Sequence, residues 1–292
     1  MATGIGRTGV MVLCMSLVAC GSDPGGDATL PGEVEEPAIG EKVAAPVDGA
    51  TAQAAGEPVA GDIEEEAAAI LKRMTSAVAS LEGFSVTLET GFDVTQPNGE
   101  KLEFGSRRSA SISRPDKAHF RFQKRSGEAG ELVFDGSDIW AFDREANAYA
   151  SIPQPGDIDA SIDFATTELG MPVPASDFFA ADPSISLAEG VLAARDLGPS
   201  TIAGRPGRQV AMRKAGVDYQ IWVADEGSLP IRIVITYIEE PGQPQFWAQF
   251  IEWDPQPVSQ AGEFRFVPPE GSERIRFATY DSSAQMEEGV AQ

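Results

Sequence analysis

From Phe84 onward the side chains change character at every second residue, segment after segment, and a period of two leaves little besides an antiparallel sheet. Val86, Leu88, Phe92 and Val94 alternate with Ser85, Thr87, Glu89 and Asp93, and Gln96-Pro97-Asn98-Gly99 follows as a hairpin turn. The spacing predicts strands over 101–112, 117–124, 131–134, 139–142 and 149–152, with Asp135-Gly136-Ser137 turning one hairpin. Further strands are predicted over 191–196, 208–213, 218–223, 231–238, 246–253 and 264–267. Two segments break the period. Ahead of the strands, Ile63, Ala67, Ile70, Leu71, Met74, Val78 and Leu81 recur at helical spacing, with Asp62 as N-cap, Glu65 three residues on, and Glu82-Gly83 as the stop. Within the strands, 153–189 is punctuated by proline and predicts a helix over 157–169 and a helical turn over 174–179. The fold expected is mainly β with helices (α+β), one curved antiparallel sheet of about ten strands. Segments such as 231–238 are apolar on both faces, which suits a sheet covered twice or a half-barrel around a cavity.

Charge and residue inventory exclude several classes of function. The chain of 292 residues carries 22 Lys+Arg against 45 Asp+Glu, a net charge of -23, so no nucleic acid is expected as a partner. Its one histidine, His119, and its two cysteines, Cys14 and Cys20, supply neither a zinc site nor a nucleophile–histidine pair in the body of the chain. No Gly-x-Ser-x-Gly elbow, phosphate loop or dinucleotide fingerprint occurs. No enzyme activity, cofactor or metal is expected. Asp157, Asp159, Ser161 and Asp163, with Glu168 at the twelfth place, have the spacing of a calcium loop, but Ile162 stands where such a loop needs glycine. Acids at the start of a helix are explained by its dipole. His119 alternates with the apolar residues of its strand and is expected to face solvent.

The first twenty residues read as an export signal. Arg7 precedes an uncharged run over 10–18, too short to span a bilayer, which ends in Leu17-Val18-Ala19-Cys20 and then Gly21. This resembles the lipobox of bacterial lipoproteins. The resemblance implies lipidation at Cys20, a bacterial envelope location facing the periplasm, and, by the residue after the cysteine, the outer membrane. Residues 21–61 hold eight acids and one base, Lys42, among Gly, Pro and Ala, and cannot bury enough apolar surface to fold.

The order of motifs also carries a resemblance. Arg114-Pro115-Asp116-Lys117 is followed by Phe134-Asp135-Gly136-Ser137-Asp138-Ile139-Trp140, and the chain closes on Phe264-Arg265-Phe266-Val267-Pro268-Pro269-Glu270-Gly271. These resemble the LolA- and LolB-like lipoprotein-carrier superfamily. Residues 70–74, 147–150, 153–159, 220–222 and 229–232 resemble, more closely, a family of predicted periplasmic proteins, domain of unknown function 2092. The resemblance implies an unclosed half-barrel plugged by the N-terminal helix and the helical insert, and it implies that Arg114 latches the insert as a lid. The layout expected is a signal peptide over 1–19, a tether over 20–61, a LolA-like half-barrel domain over 62–280 and a flexible tail over 281–292.

Within that frame the expected ligand is an acyl chain or another hydrophobic molecule, in lipid or lipoprotein trafficking. Its cavity is expected to be lined from Phe92, Phe104, Phe120, Phe122, Trp140, Phe142, Tyr219, Trp222, Ile233, Trp247 and Phe250, with space left for a guest. Alternation alone does not say which of these share the concave face. An interaction or sensor module that contacts an envelope protein is the alternative, and an enzyme on the same scaffold is a third.

Overall fold

The computed structural model describes residues 61–171, 173–256 and 262–277. The signal peptide expected over 1–19, Cys20, the tether expected over 20–61 up to residue 60, and the tail over 281–292 lie outside them. Among the described residues twelve strands form one open, curved sheet that does not close into a barrel. They are β1 (Gly83–Thr95), β2 (Lys101–Ser113), β3 (Lys117–Lys124), β4 (Ala129–Phe134), β5 (Asp138–Asp143), β6 (Ala148–Pro153), β7 (Ala193–Ile202), β8 (Arg205–Lys214), β9 (Val217–Ala224), β10 (Pro230–Tyr237), β11 (Gln245–Asp254) and the two-residue β12 (Glu273–Arg274). Their spatial order is β12-β6-β5-β4-β3-β2-β1-β11-β10-β9-β8-β7. Two antiparallel meanders, β1–β6 and β7–β11, are therefore joined side by side through β1 and β11.

This order decides where the insert goes. The chain leaves β6 near one edge of the sheet and must reach β7 at the other. The insert runs through α2 (Ile158–Thr167), a 3-10 turn (Ser176–Phe178) and α3 (Pro183–Ala188). Asp157 caps α2, its Oδ1 accepting from the Ala160 N–H at 2.9 Å. Asp159 Oδ1 accepts from the Ala181 N–H at 2.9 Å. The first two of the acids spaced like a calcium loop thus satisfy backbone donors.

The N-terminal helix α1 (Glu65–Ala79) buries Ala67, Ile70, Leu71, Met74 and Val78, the stripe read from the sequence. Its start differs from expectation. The N-cap is Glu64, not Asp62, and makes no side-chain cap bond. Its carboxylate instead accepts from the Asp196 N–H of β7 at 2.9 Å, because Ile63 pairs with Ala194 and draws the chain along that edge.

Residues 264–267, expected as a strand, make no ladder. Pro268 and Pro269 lack N–H groups, and the segment instead crosses the sheet's other face as a strap. Phe266 packs there on Trp140, Phe142 and Tyr149, at centroid distances of 5.5, 6.0 and 5.6 Å. Among the described residues no helix is long and apolar enough to cross a membrane.

Candidate functional site

Pairing register settles which residues share the concave face. Val86, Leu88, Thr90 and Phe92 of β1 lie opposite Ala110, Arg108, Ser106 and Phe104 of β2. On the other side they meet Trp253, Phe250, Ala248 and Phe246 of β11. Ile233 continues the row beside Ala248 and Ile221. Of the candidate lining residues, Phe92, Phe104, Phe120, Phe122, Tyr219, Ile233 and Phe250 fall on this face. Trp140, Phe142, Trp222 and Trp247 fall on the opposite one.

One end of the concave face is filled. Phe178 and Phe179 of the insert are fully buried, Phe178 with its ring 5.1 Å from Phe250 and Phe179 5.4 Å from Phe120. The space expected for a guest is occupied here by these two rings. Arg114 bonds to the backbone on both sides of them. Its Nε donates to the Leu81 carbonyl at the end of α1 at 3.0 Å. Its Nη1 donates to the carbonyls of Phe179 at 3.1 Å and Ala180 at 2.7 Å. Its Nη2 is buried without a partner among the described residues, and burial lowers the guanidinium pKa against the pull of Asp159. Asp177, in the same turn, is raised above the usual carboxylate range by burial, with Lys214 and a bond from Ser186 opposing.

The other end is uncovered. Phe92 is 46% exposed and Phe104 50%, stacked on one another at 5.9 Å, with Leu102 at 39% beside them. Apolar residues that large are exposed together at few places on a monomer. Arg108 lies between this patch and the filled end, its guanidinium 5.7 Å from the centre of the Phe122 ring.

The opposite face carries structural clusters. Asp135 accepts from the backbone N–H groups of Ser137 and Asp138 and, at 3.0 Å, from the Trp140 indole N–H, so the Asp-Gly hairpin motif fixes its own tryptophan. Trp247 is flanked by Arg232 and Arg125, at 4.9 and 5.9 Å, and donates to Glu103. The indole of Trp222 donates to Ser200 at 3.1 Å.

His119 is 6% exposed rather than solvent-facing, because the strap covers it. Its Nε2 donates to Glu131 at 2.9 Å, and its Nδ1 lies 2.8 Å from the Glu263 backbone oxygen. The His119 bond holds Glu131 below the usual carboxylate range despite burial. At Glu263 burial works upward, but bonds from Arg121 and Ser111 outweigh it. Two surface depressions, of about 350 and 330 Å³, lie at Ser126–Glu145 and around His119 and Phe266, both away from the concave face.

A model of the family described as "Predicted periplasmic protein (DUF2092)" matches residues 67–278. The chain belongs to this family. DUF2092 here spans the whole sheet, the insert and all but the first two residues of α1. No curated protein matches the chain. Among solved structures it is similar to LprF from Mycobacterium bovis, at 14% identity and a TM-score of 0.43 over 73% of this chain and 100% of that one. It is also similar to the Mycobacterium tuberculosis lipoprotein LppX, at 13% identity and 0.42 over 67% and 98%. A LolA superfamily protein from Nitrosomonas europaea matches at 11% identity and 0.31 over 66% and 94%.

Arg108, Phe178 and Phe179 were not among the residues singled out from sequence. The two phenylalanines sit in a segment without alternation, so nothing in the pattern says what they face. Arg108 did carry a signal, since it shares a strand face with Ala110 and Ile112.

Proposed function

We propose that this member of DUF2092 is a lipid-anchored envelope protein that takes an acyl chain or comparable apolar ligand onto the concave face of its sheet. One observation carries the reading. A single apolar face is left bare at Phe92 and Phe104 and is covered at its other end by two phenylalanines, which Arg114 ties through backbone carbonyls. Phe178 and Phe179 cover the filled end of that face, and the insert carrying them is the movable part. Anchoring through Cys20, an outer-membrane location and the latch role of Arg114 belong to the same proposal.

The test uses the full chain with Cys20→Ser, so that detergent is not needed. Lipid is extracted after purification from cell envelope and measured by mass spectrometry. Bound lipid is expected, in greater amount with Arg114→Ala than with Arg114 intact. A purified protein free of lipid in both forms, and holding a protein partner through the bare patch instead, overturns the reading.

A further inference from the structure

Arg108 is placed where an arginine is costly. It projects from β2 onto the apolar side of the sheet, directly opposite Leu88 on one neighbour and Phe122 on the other. A guanidinium has five N–H donors and stays charged, so leaving them unmatched beside apolar groups is unfavourable. Among the described residues only its Nε finds an acceptor, Ser106 Oγ at 3.0 Å. That hydroxyl is in turn 3.0 Å from Thr90 Oγ1, a small buried polar pair beneath the arginine. Burial lowers the Arg108 pKa to about 10.

The scarcity of a partner is not a scarcity of acids. The chain has 45 Asp+Glu for 22 Lys+Arg. Arg107, the next residue, reaches Glu89 at 3.8 Å on the other face, Arg121 reaches Glu263 at 3.0 Å, and Arg125 reaches Glu103 at 2.7 Å. Among the described residues no carboxylate stands within 4.0 Å of Arg108. Its two terminal nitrogens are the donors left for something else. Phe104 is four residues along the same strand and the same face, about 13 Å away. A cation with free donors therefore heads an exposed aromatic track.

We infer that the concave face takes an anionic amphiphile, with its carboxylate or phosphate head on Arg108 and the Thr90–Ser106 hydroxyl pair, and its chain along Phe104 and Phe92. This rests on the ligand-binding reading above and adds the chemical class of the ligand. Charge complementarity selects the occupant. An uncharged chain leaves the guanidinium desolvated and unmatched, whereas an acidic head forms two parallel charge-assisted bonds with it.

The test compares oleate with oleyl alcohol, which has the same chain and no charge, by displacement of a fluorescent apolar probe from the full-length Cys20→Ser protein. Oleate is expected to bind about tenfold more tightly, a charge-assisted bond's worth of discrimination. Arg108→Gln should abolish that preference and leave oleyl alcohol within about twofold, and Arg108→Lys should restore part of it. The preference in the unmodified sheet needs no variant, so it decides the matter even if Arg108→Gln folds poorly. Equal binding of the two ligands, or a preference unchanged by Arg108→Gln, overturns the inference while leaving an apolar site in place. If neither ligand binds, the broader reading fails with it. Binding of acetate or inorganic phosphate as tight as that of oleate, or a dimer that Phe104→Asp dissolves, also overturns it, by making the occupant a free anion or a second copy.

Discussion

Gly91 has no side chain, and the indole of Trp247 lies where one would be. A Cβ built on Gly91 falls 2.5 Å from the ring. Gly91→Ala should cost about 1–3 kcal/mol by overpacking, read from the denaturant midpoint, and should shift the tryptophan emission as Trp247 leaves Arg232. The Glu131 carboxylate behaves differently, through its charge. Its folded pKa lies below the unfolded value, chiefly because His119 donates to it. Its stabilisation is complete above the unfolded pKa and is lost as pH falls through the lower, folded one. Glu131→Gln should therefore destabilise by about 1–3 kcal/mol at neutral pH, and the gap to the unmodified protein should close in acid. A gap of equal size at both ends of a pH series of denaturation curves would mean that charge has no part in it.

At the scale of elements, the insert packs into the same core as the sheet, and its hold there can be tested by itself. Phe178→Ala removes a fully buried ring, a loss of about 3–5 kcal/mol of packing. It should appear first as faster amide exchange over 158–189, with β1 and β2 little changed. The buried acid in the same turn adds a pH dependence. Asp177 has its folded pKa raised by burial, so its contribution to closure is full below the unfolded pKa and is lost as pH rises through the folded one. After correction for intrinsic rates, exchange over 158–189 should be slower at about pH 4 than at neutrality. Loosening of the insert in acid would contradict this. The hairpins were legible because alternation and turn chemistry agree, as in β1 and β2 around Gly99, whose φ of 84° suits glycine. The strap was not. Phe264 and Phe266 alternate like strand residues, but the two prolines that follow deny the segment a ladder. His119 was misread for the same reason, since a covering segment from more than a hundred residues away leaves no trace in its own strand.

The whole molecule is an open sheet, and open sheets have edges to protect. β7 is one of them. It is blunted by a bulge between Asp196 and Gly198, by Pro199, and by the chain before α1 pairing at Ala194. Pro199→Val restores a donor on that edge and should raise self-association, seen as concentration-dependent sedimentation in high salt, where the net charge of -23 no longer keeps copies apart. A monomer at all concentrations would show that the bulge and the pairing at Ala194 suffice.

Local chemistry alone determined most of the strands, the amphipathic helix, the helical insert and the membership of DUF2092, because side-chain period, turn residues and motif order are properties of neighbours along the chain. Only the tertiary structure decided which face each strand turns inward, that Phe178 and Phe179 fill one end of it, and that Arg108 stands without an acid beside a bare aromatic track. Those outcomes depend on strand order. The chain joined β1 to β11 and had to carry the insert from one edge of the sheet to the other, and no residue's immediate neighbours specify that path.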